Sequence, residues 1–309
     1  MTDEKLTHVE CDPSWPTEPL RRVNSVLTEG CGSVEAWDFS LANSSYEARV
    51  YFVTKVASIC YGNPKALSSI NLFNRLQAEA AGLPSSSYEF VPVLLSIPQI
   101  VEITRSVLAK HIAEGTRAPH TQNVIKFGEF IHAGASSYLL TNLRALIADV
   151  GSEESLNYLN TSDEEIQIIR DNFKVFLFNV DLSTRAQMVR HRCSWQELSR
   201  RYVSGKKQPF DFYISEKMSS LELDWPFDES IINDVIGGCL RAYDAAIESG
   251  IKPEEARRIL PQAMMTTIWG AFQPTQLDNF FILRLHKTAQ REIQQTAQAM
   301  YALIHTETE

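Results

Sequence analysis

Positive charge is what this chain lacks. Its 29 Lys and Arg face 38 Asp and Glu, a formal net charge of −9, with a pI near 5.4. That balance argues against a general nucleic-acid binder, whose surface must neutralise phosphates. Long apolar runs are missing too. A membrane span needs roughly 18 consecutive apolar residues, and FVPVLLSIPQIV, residues 90–101, is short and broken by Pro92 and Pro98. Cysteine is scarce and odd in number, five with no CxxC pair, which reads as reduced thiols in the cytosol rather than a disulfide framework. The opening MTDEKLTHVE is polar and acidic, unlike a signal peptide. There is no low-complexity linker and no repeat of fixed period. What is there, 309 residues with 44% hydrophobic and 22% charged side chains, suits a globular protein with a large core.

Against that acidic background one segment stands out, QMVRHRCSWQELSRRYV at residues 187–203. From Arg185 to Lys207 there are seven Lys or Arg and one acid, Glu197. Cations this dense repel one another unless an anion sits among them. The planar, permanently charged fork of Arg makes phosphate the first guess, carried on a small molecule.

Pattern and punctuation predict a helix-rich α+β (mixed α/β) chain. Residues 1–44 read as irregular. Helices are expected over 46–61, with Val50, Val53, Val56 and Ala57 on one face, over about 71–81, within 95–115, and at NLRALIADVG before Gly151. KFGEFIHAG and SSYLL, within 124–140, read as strands around a turn. Asp163, Glu164 and Glu165 open another helix, and Phe173–Val180 is a half-buried strand. Ser183 is placed as the cap of a short helix through Arg190, with Gln187 and Arg190 on one face. Ser194 begins the next, since S-W-Q-E matches a capping box with Glu197. Further helices are expected from about Ser230 to Glu248, from Pro253 through EEARRILPQAM, and from about Thr275 unbroken to about His305.

Three separated blocks resemble the flavin-dependent thymidylate synthases. Q-x-x-R-H-R followed by a helix with E-x-S-x-R-[YF] corresponds to Gln187, Arg190, His191, Arg192, Glu197, Ser199, Arg201 and Tyr202. A-R-x-x-L-P is similar to Ala256, Arg257, Leu260 and Pro261, and N-F-x-x-L-R-x-x-x-x-A-Q-x-E-I to Asn279, Phe280, Leu283, Arg284, Ala289, Gln290, Glu292 and Ile293. Fainter matches lie at ASICYG, 57–62, and GLPSSSYEF, 82–90. RHR alone would be weak; three ordered blocks between Gln187 and Ile293 are specific.

The resemblance implies that fold, a central, mostly antiparallel sheet with long helices in a single domain over 1–309. It would carry an N-terminal extension at about 1–45 and an insertion at about 91–165. It implies a methyltransferase that builds a methyl group on carbon 5 of a uracil nucleotide, UMP or dUMP. FAD would be the cofactor, with methylenetetrahydrofolate and NADPH as co-substrates and no metal. It also implies a cytoplasmic homotetramer with active sites shared between subunits, and no nucleic-acid or membrane partner. The family includes housekeeping enzymes for dUMP and a branch in nucleoside-antibiotic (polyoxin-type) pathways that also acts on UMP.

By the same resemblance Arg190, His191, Arg192, Glu197, Gln273 and Asn279 would hold the flavin. Gln187, Arg190, Glu197, Ser199, Arg200, Arg201, Arg257 and Arg284 would hold the nucleotide, Arg257 from a neighbouring subunit. Arg284 is the catalytic candidate: a guanidinium against the uracil favours the deprotonated ring amide and so raises electron density at the attacking carbon. Asn279 is placed in the first turn of the last helix, where free backbone donors suit an anion or a flavin carbonyl. Ser199 lacks an evident base and is assigned to hydrogen bonding rather than attack. Cys193, which nearby arginines could activate, is read as loop filling.

The chain departs from the family at several points. Six residues, CSWQEL, replace the family's seven between RHR and the serine. Phe90 and Thr288 stand where histidines are common, and Gln273 where an asparagine is frequent. These departures suit the UMP-accepting branch, and they also leave a strictly dUMP-specific enzyme or a non-catalytic flavin- or nucleotide-binding homologue as alternatives.

Overall fold

The computed structural model describes residues 21–28, 32–38, 46–62, 72, 73, 76, 84–119, 121–160, 162–215 and 230–305. The helix expected over 71–81 falls largely outside them. Two antiparallel sheets frame the chain, which is mixed α/β as expected. The first comprises β1 (Arg21–Thr28), β2 (Gly32–Asp38), β6 (Lys174–Asp181), β8 (Met265–Phe272) and β7 (Ser194–Glu197), in the order β1-β2-β6-β8-β7. The second, β3 (Pro92–Ser96), β5 (Ser136–Asn142) and β4 (Glu129–Ala133), in the order β3-β5-β4, belongs wholly to residues 91–165.

Both faces of the larger sheet are covered. Phe176, Phe178 and Val180 of β6, with Ile268 and Phe272 of β8, pack with helices α9 (Pro274–Arg284) and α10 (Arg291–His305). The alternate residues Val175, Trp269 and Ala271 join α1 (Tyr46–Ser58) and the smaller sheet in a second core. A strand buried on both faces needs no polar stripe, so FKVFLFNV is a central strand and not the half-buried one expected. Residues Ala48–Ser58 of α1 are buried on every side for the same reason, Arg49 and Lys55 included; Lys55 Nζ sits 5.3 Å from the Trp37 ring centroid.

The smaller sheet leads into α2 (Ile97–Glu114), α3 (Asn123–Lys126) and α4 (Leu143–Val150); α5 (Asp163–Asn172) precedes β6. Asp149 accepts from the Asn123 and Val124 backbone N–H groups, tying α3 to α4.

Five expectations are corrected. Residues 21–38 are not irregular: GSVEAWD pairs with β6, Val34 opposite Phe178. Gly32, at φ 139°, lies where a Cβ would meet the Asn179 carbonyl oxygen at 1.9 Å, so the strand entry there requires glycine. The helix before RHR is α6 (Leu182–Met188), capped by Asp181 rather than Ser183: its carboxylate accepts from Ser183 N at 2.8 Å and Thr184 N at 3.0 Å. Ser194 caps no helix. S-W-Q-E is the edge strand β7, because Trp195 lies across from Gly270, where the missing side chain leaves room for the indole.

After α7 (Ser230–Glu248), the helix begun at Pro253 lasts one turn, α8 (Pro253–Ala256), then a 3-10 turn at Arg257–Ile259; Met265 already belongs to β8. The last long helix is two. Gln294 Nε2 donates to the Leu285 and His286 carbonyls at 3.2 Å each, satisfying groups freed where α9 stops.

Candidate functional site

The loop between α6 and β7, Val189–Cys193, carries RHR, and an aromatic column from the sheet holds it. Phe178 meets Trp195 at 6.1 Å between ring centroids, Trp195 meets Phe272 at 5.4 Å, Phe272 meets Phe280 at 5.7 Å, and Phe280 meets His191 at 4.7 Å. His191 is thus buried and fixed from one side by α9.

From the last residue of the same helix, Arg284 Nε donates to His191 Nε2 at 2.8 Å, and its Nη2 donates to the Gln187 carbonyl at 3.0 Å. Gln187 Nε2 in turn donates to Gln290 Oε1 at 2.5 Å. The first and third sequence blocks therefore meet, and the break at 285–290 is what turns Gln290 back towards α6.

Burial first, then the charge of Arg284, holds His191 well below its ordinary value of 6.5, at about 4. The ring is neutral at pH 7, so with Nε2 accepting, its proton belongs on Nδ1. Arg284 is itself pushed down by burial and then by Arg190. Among the described residues neither Arg190 nor Arg284 has a carboxylate within ion-pair distance. Two cations close enough to disturb each other, with no counter-charge, form a place for an anion.

A pH dependence follows. Between pH 6.5 and about 4 the unfolded chain carries a proton at residue 191 that the folded chain refuses, so stability is full above that window and falls as pH drops through it. The loss is on the order of 1–2 kcal/mol after allowance for solvent screening. Urea midpoints at pH 7 and 4.5 should differ less for His191→Asn than for the wild type; equal differences would contradict this protonation state.

Other expected site residues have different surroundings. Glu197 accepts from Arg185 Nε at 2.8 Å and from its Nη2, and Thr266 Oγ1 donates to it at 3.2 Å. Arg200, expected at the nucleotide, is buried; it donates to the Gln208 carbonyl at 2.8 Å and lies over the Phe210 ring at 4.6 Å. Gln273, expected at the flavin, caps α9 and donates to the Phe127 and Leu140 carbonyls at 2.9 and 3.3 Å. Asn279 is exposed and lies in the second turn of α9, beyond the free donors.

Arg201 is exposed and pairs with Glu254 at 2.9 Å, which joins the first block to the second. Arg257 is exposed on the 3-10 turn after α8, and no interaction among the described residues joins it to Arg190 or Arg284. Ser199 is half-buried, its carbonyl accepting from Tyr202 and Val203. Burial pushes the Cys193 thiol well up, which disfavours the thiolate and agrees with loop filling.

Sequence reasoning missed a polar chain that seats the two fainter matches against β7. Ser86 Oγ donates to Gln196 Oε1 at 2.8 Å, Gln196 Nε2 reaches Cys60 Sγ at 2.8 Å, and Cys60 Sγ donates to the Glu197 carbonyl at 3.2 Å. It also missed a cavity of about 810 Å³ that Arg192, Cys193 and Ser194 share with residues of α3 and α4. No sequence signal marks either, because the partners lie more than 40 residues apart. Among the described residues no group of three or more His, Cys, Asp or Glu could hold a metal ion, and no helix is long and apolar enough to cross a membrane.

Paired, uncompensated arginines beside a neutral histidine on an antiparallel-sheet α/β frame suit an anionic small molecule. The family model described as "Thymidylate synthase complementing protein" (Thy1) matches residues 153–308, and the chain belongs to that family. Flavin-dependent thymidylate synthase of Aquifex aeolicus is 34% identical over 146 residues, 43% of this chain and 45% of that one. The Geobacter sulfurreducens enzyme of the same name is 32% identical over 133 residues, 42% and 56% of the two chains. The chain thus spans about half the length of these curated relatives. A crystal structure of the UMP/dUMP methylase PolB from Streptomyces cacaoi, bound with 5-Br dUMP, is 22% identical with a TM-score of 0.35, over 52% of this chain and 83% of that one.

Proposed function

We propose that this protein is a cytosolic flavoenzyme that methylates carbon 5 of a uracil nucleotide, with methylenetetrahydrofolate as carbon donor and NADPH as reductant. The observation that carries the reading is the Arg190–Arg284 pair, uncompensated, with Arg284 held to His191 at 2.8 Å. FAD fits these residues: Arg190 and Arg192 have no protein counter-charge among the described residues, and Arg192 borders the cavity. Bound there, FAD would supply the hydride that completes the methyl group. Arg190, His191, Arg192 and Asn279 would hold it, with the Nδ1–H of neutral His191 as a hydrogen-bond donor.

Arg284 has one terminal nitrogen, Nη1, without a partner among the described residues, and would set it against the uracil ring to favour the ring anion. Gln187 and Ser199 would orient the nucleotide, while Arg201 and Arg257 take its phosphate. Glu197 would act indirectly, by fixing Arg185. The exposed Arg257 suits delivery into a neighbouring subunit's site, as in a homotetramer with shared sites.

Product formation from UMP and from dUMP, with methylenetetrahydrofolate and NADPH present, tests the proposal. Turnover of UMP, alone or with dUMP, assigns the UMP-accepting branch. Turnover of dUMP alone assigns a thymidylate synthase in the strict sense. No methylated product from either overturns the reading.

A further inference from the structure

We propose that the outer face of α2 docks on α2 of a second copy of this chain, antiparallel, about a twofold axis passing between Thr104 and Arg105. The family match begins at residue 153, so α2, Ile97–Glu114, belongs to a segment outside it. The inference rests on no part of the proposed function.

α2 is apolar on two sides, and the fold covers one of them. Ile100, Ile103 and Val107 are buried, whereas Ile97, Val101, Leu108 and Ile112 are 45, 44, 50 and 71% exposed. At about 100° per residue the exposed four fall within one narrow stripe, roughly 22 Å long at about 1.5 Å per residue. A continuous apolar stripe facing water marks a contact surface.

The spacing says what covers it. From Ile97 to Val101 is four residues, from Val101 to Leu108 seven, and from Leu108 to Ile112 four. The series is the same read from either end. A twofold contact has to be self-complementary, and two such stripes laid antiparallel set Ile97 opposite Ile112 of the partner subunit and Val101 opposite Leu108 of the partner subunit. An unrelated partner places no such demand on the spacing.

Charge agrees with a second copy. The whole chain carries −9 and repels itself, but α2 balances two carboxylates, Glu102 and Glu114, with two cations, Arg105 and Lys110. Neither Glu102 nor Arg105 has an ion-pair partner among the described residues. Both flank the stripe on one side. In the antiparallel register Arg105 falls about 3 Å along the helix axis from Glu102 of the partner subunit, so two opposite-charge pairs close that rim.

Cross-linking of the full chain with a short bismaleimide tests it, the wild type's own cysteines setting the background. Arg105→Cys, beside the axis, should give a covalent dimer. Lys110→Cys, on the side of α2 away from the stripe, should not exceed background. Adding Leu108→Glu to Arg105→Cys puts a charge into the apolar contact and should lower the cross-linked fraction about tenfold or more. All three positions are exposed, so the fold tolerates the changes. No dimer above background from Arg105→Cys overturns the inference and leaves the face to another occupant. Equal dimer from Lys110→Cys, or no effect of Leu108→Glu, overturns it too.

Discussion

Arg284→Lys is expected to lower turnover about 10²–10³-fold, the range for losing one preorganised electrostatic contact to a developing charge, while leaving bound flavin in place. Lysine keeps the positive charge but not the fork. The guanidinium holds His191 Nε2 and the Gln187 carbonyl simultaneously, at 2.8 and 3.0 Å, and still keeps Nη1 for a ligand. A single ammonium on a flexible stem does not reproduce three directions in one plane. The deficit should appear in kcat more than in KM, since the contact strengthens as the ring anion forms. Wild-type turnover in the variant would remove Arg284 from the chemistry.

Phe280→Ala should destabilise the fold by about 3–5 kcal/mol, the usual cost of emptying a buried aromatic site. The Phe280 ring is wholly buried, with centroids of His191 at 4.7 Å, Phe272 at 5.7 Å and Phe281 at 6.4 Å. It is also where sheet packing reaches the RHR loop, so the variant should lose activity at temperatures where it is still folded. Urea denaturation gives the first quantity, and turnover well below the midpoint gives the second. A loss under about 1 kcal/mol would mean that the site collapses around the missing ring.

What was legible in the sequence was the chemistry fixed to short motifs. RHR and N-F-x-x-L-R carry His191, Phe280 and Arg284, and the fold brings those three together. Long-range pairing was not legible. S-W-Q-E has the local signature of a helix start, yet the free edge of β8 and the space over Gly270 make it a strand. The stripe from Phe281 to Ile304 reads as one helix because both pieces pack on the same core; nothing local announces that Gln294 will cap the first. The tertiary hydrogen bonds of the Gln273 amide to Phe127 and Leu140 likewise have no local signal. β2 was hidden for a related reason: in GSVEAWD the neighbours Ser33, Val34 and Glu35 are all buried, so no clean alternation shows.

Residues 92–142 hold an antiparallel sheet of their own, and α3 and α4 bring Lys126 and Arg144 to the cavity that Arg192 borders. The same segment anchors the start of α9, where the Glu129 carboxylate accepts from Thr275 N at 3.0 Å.

The central claim is that arginines from the first and third blocks hold a flavin beside a uridylate. The absorbance spectrum of the purified protein tests it most directly, followed through addition of NADPH and then of methylenetetrahydrofolate with UMP or dUMP. The account predicts a yellow protein that NADPH bleaches and that regains colour, under anaerobic conditions, only when both folate and nucleotide are supplied. A protein that binds no flavin on reconstitution with FAD, or one whose bleached flavin ignores the two substrates together, would contradict it.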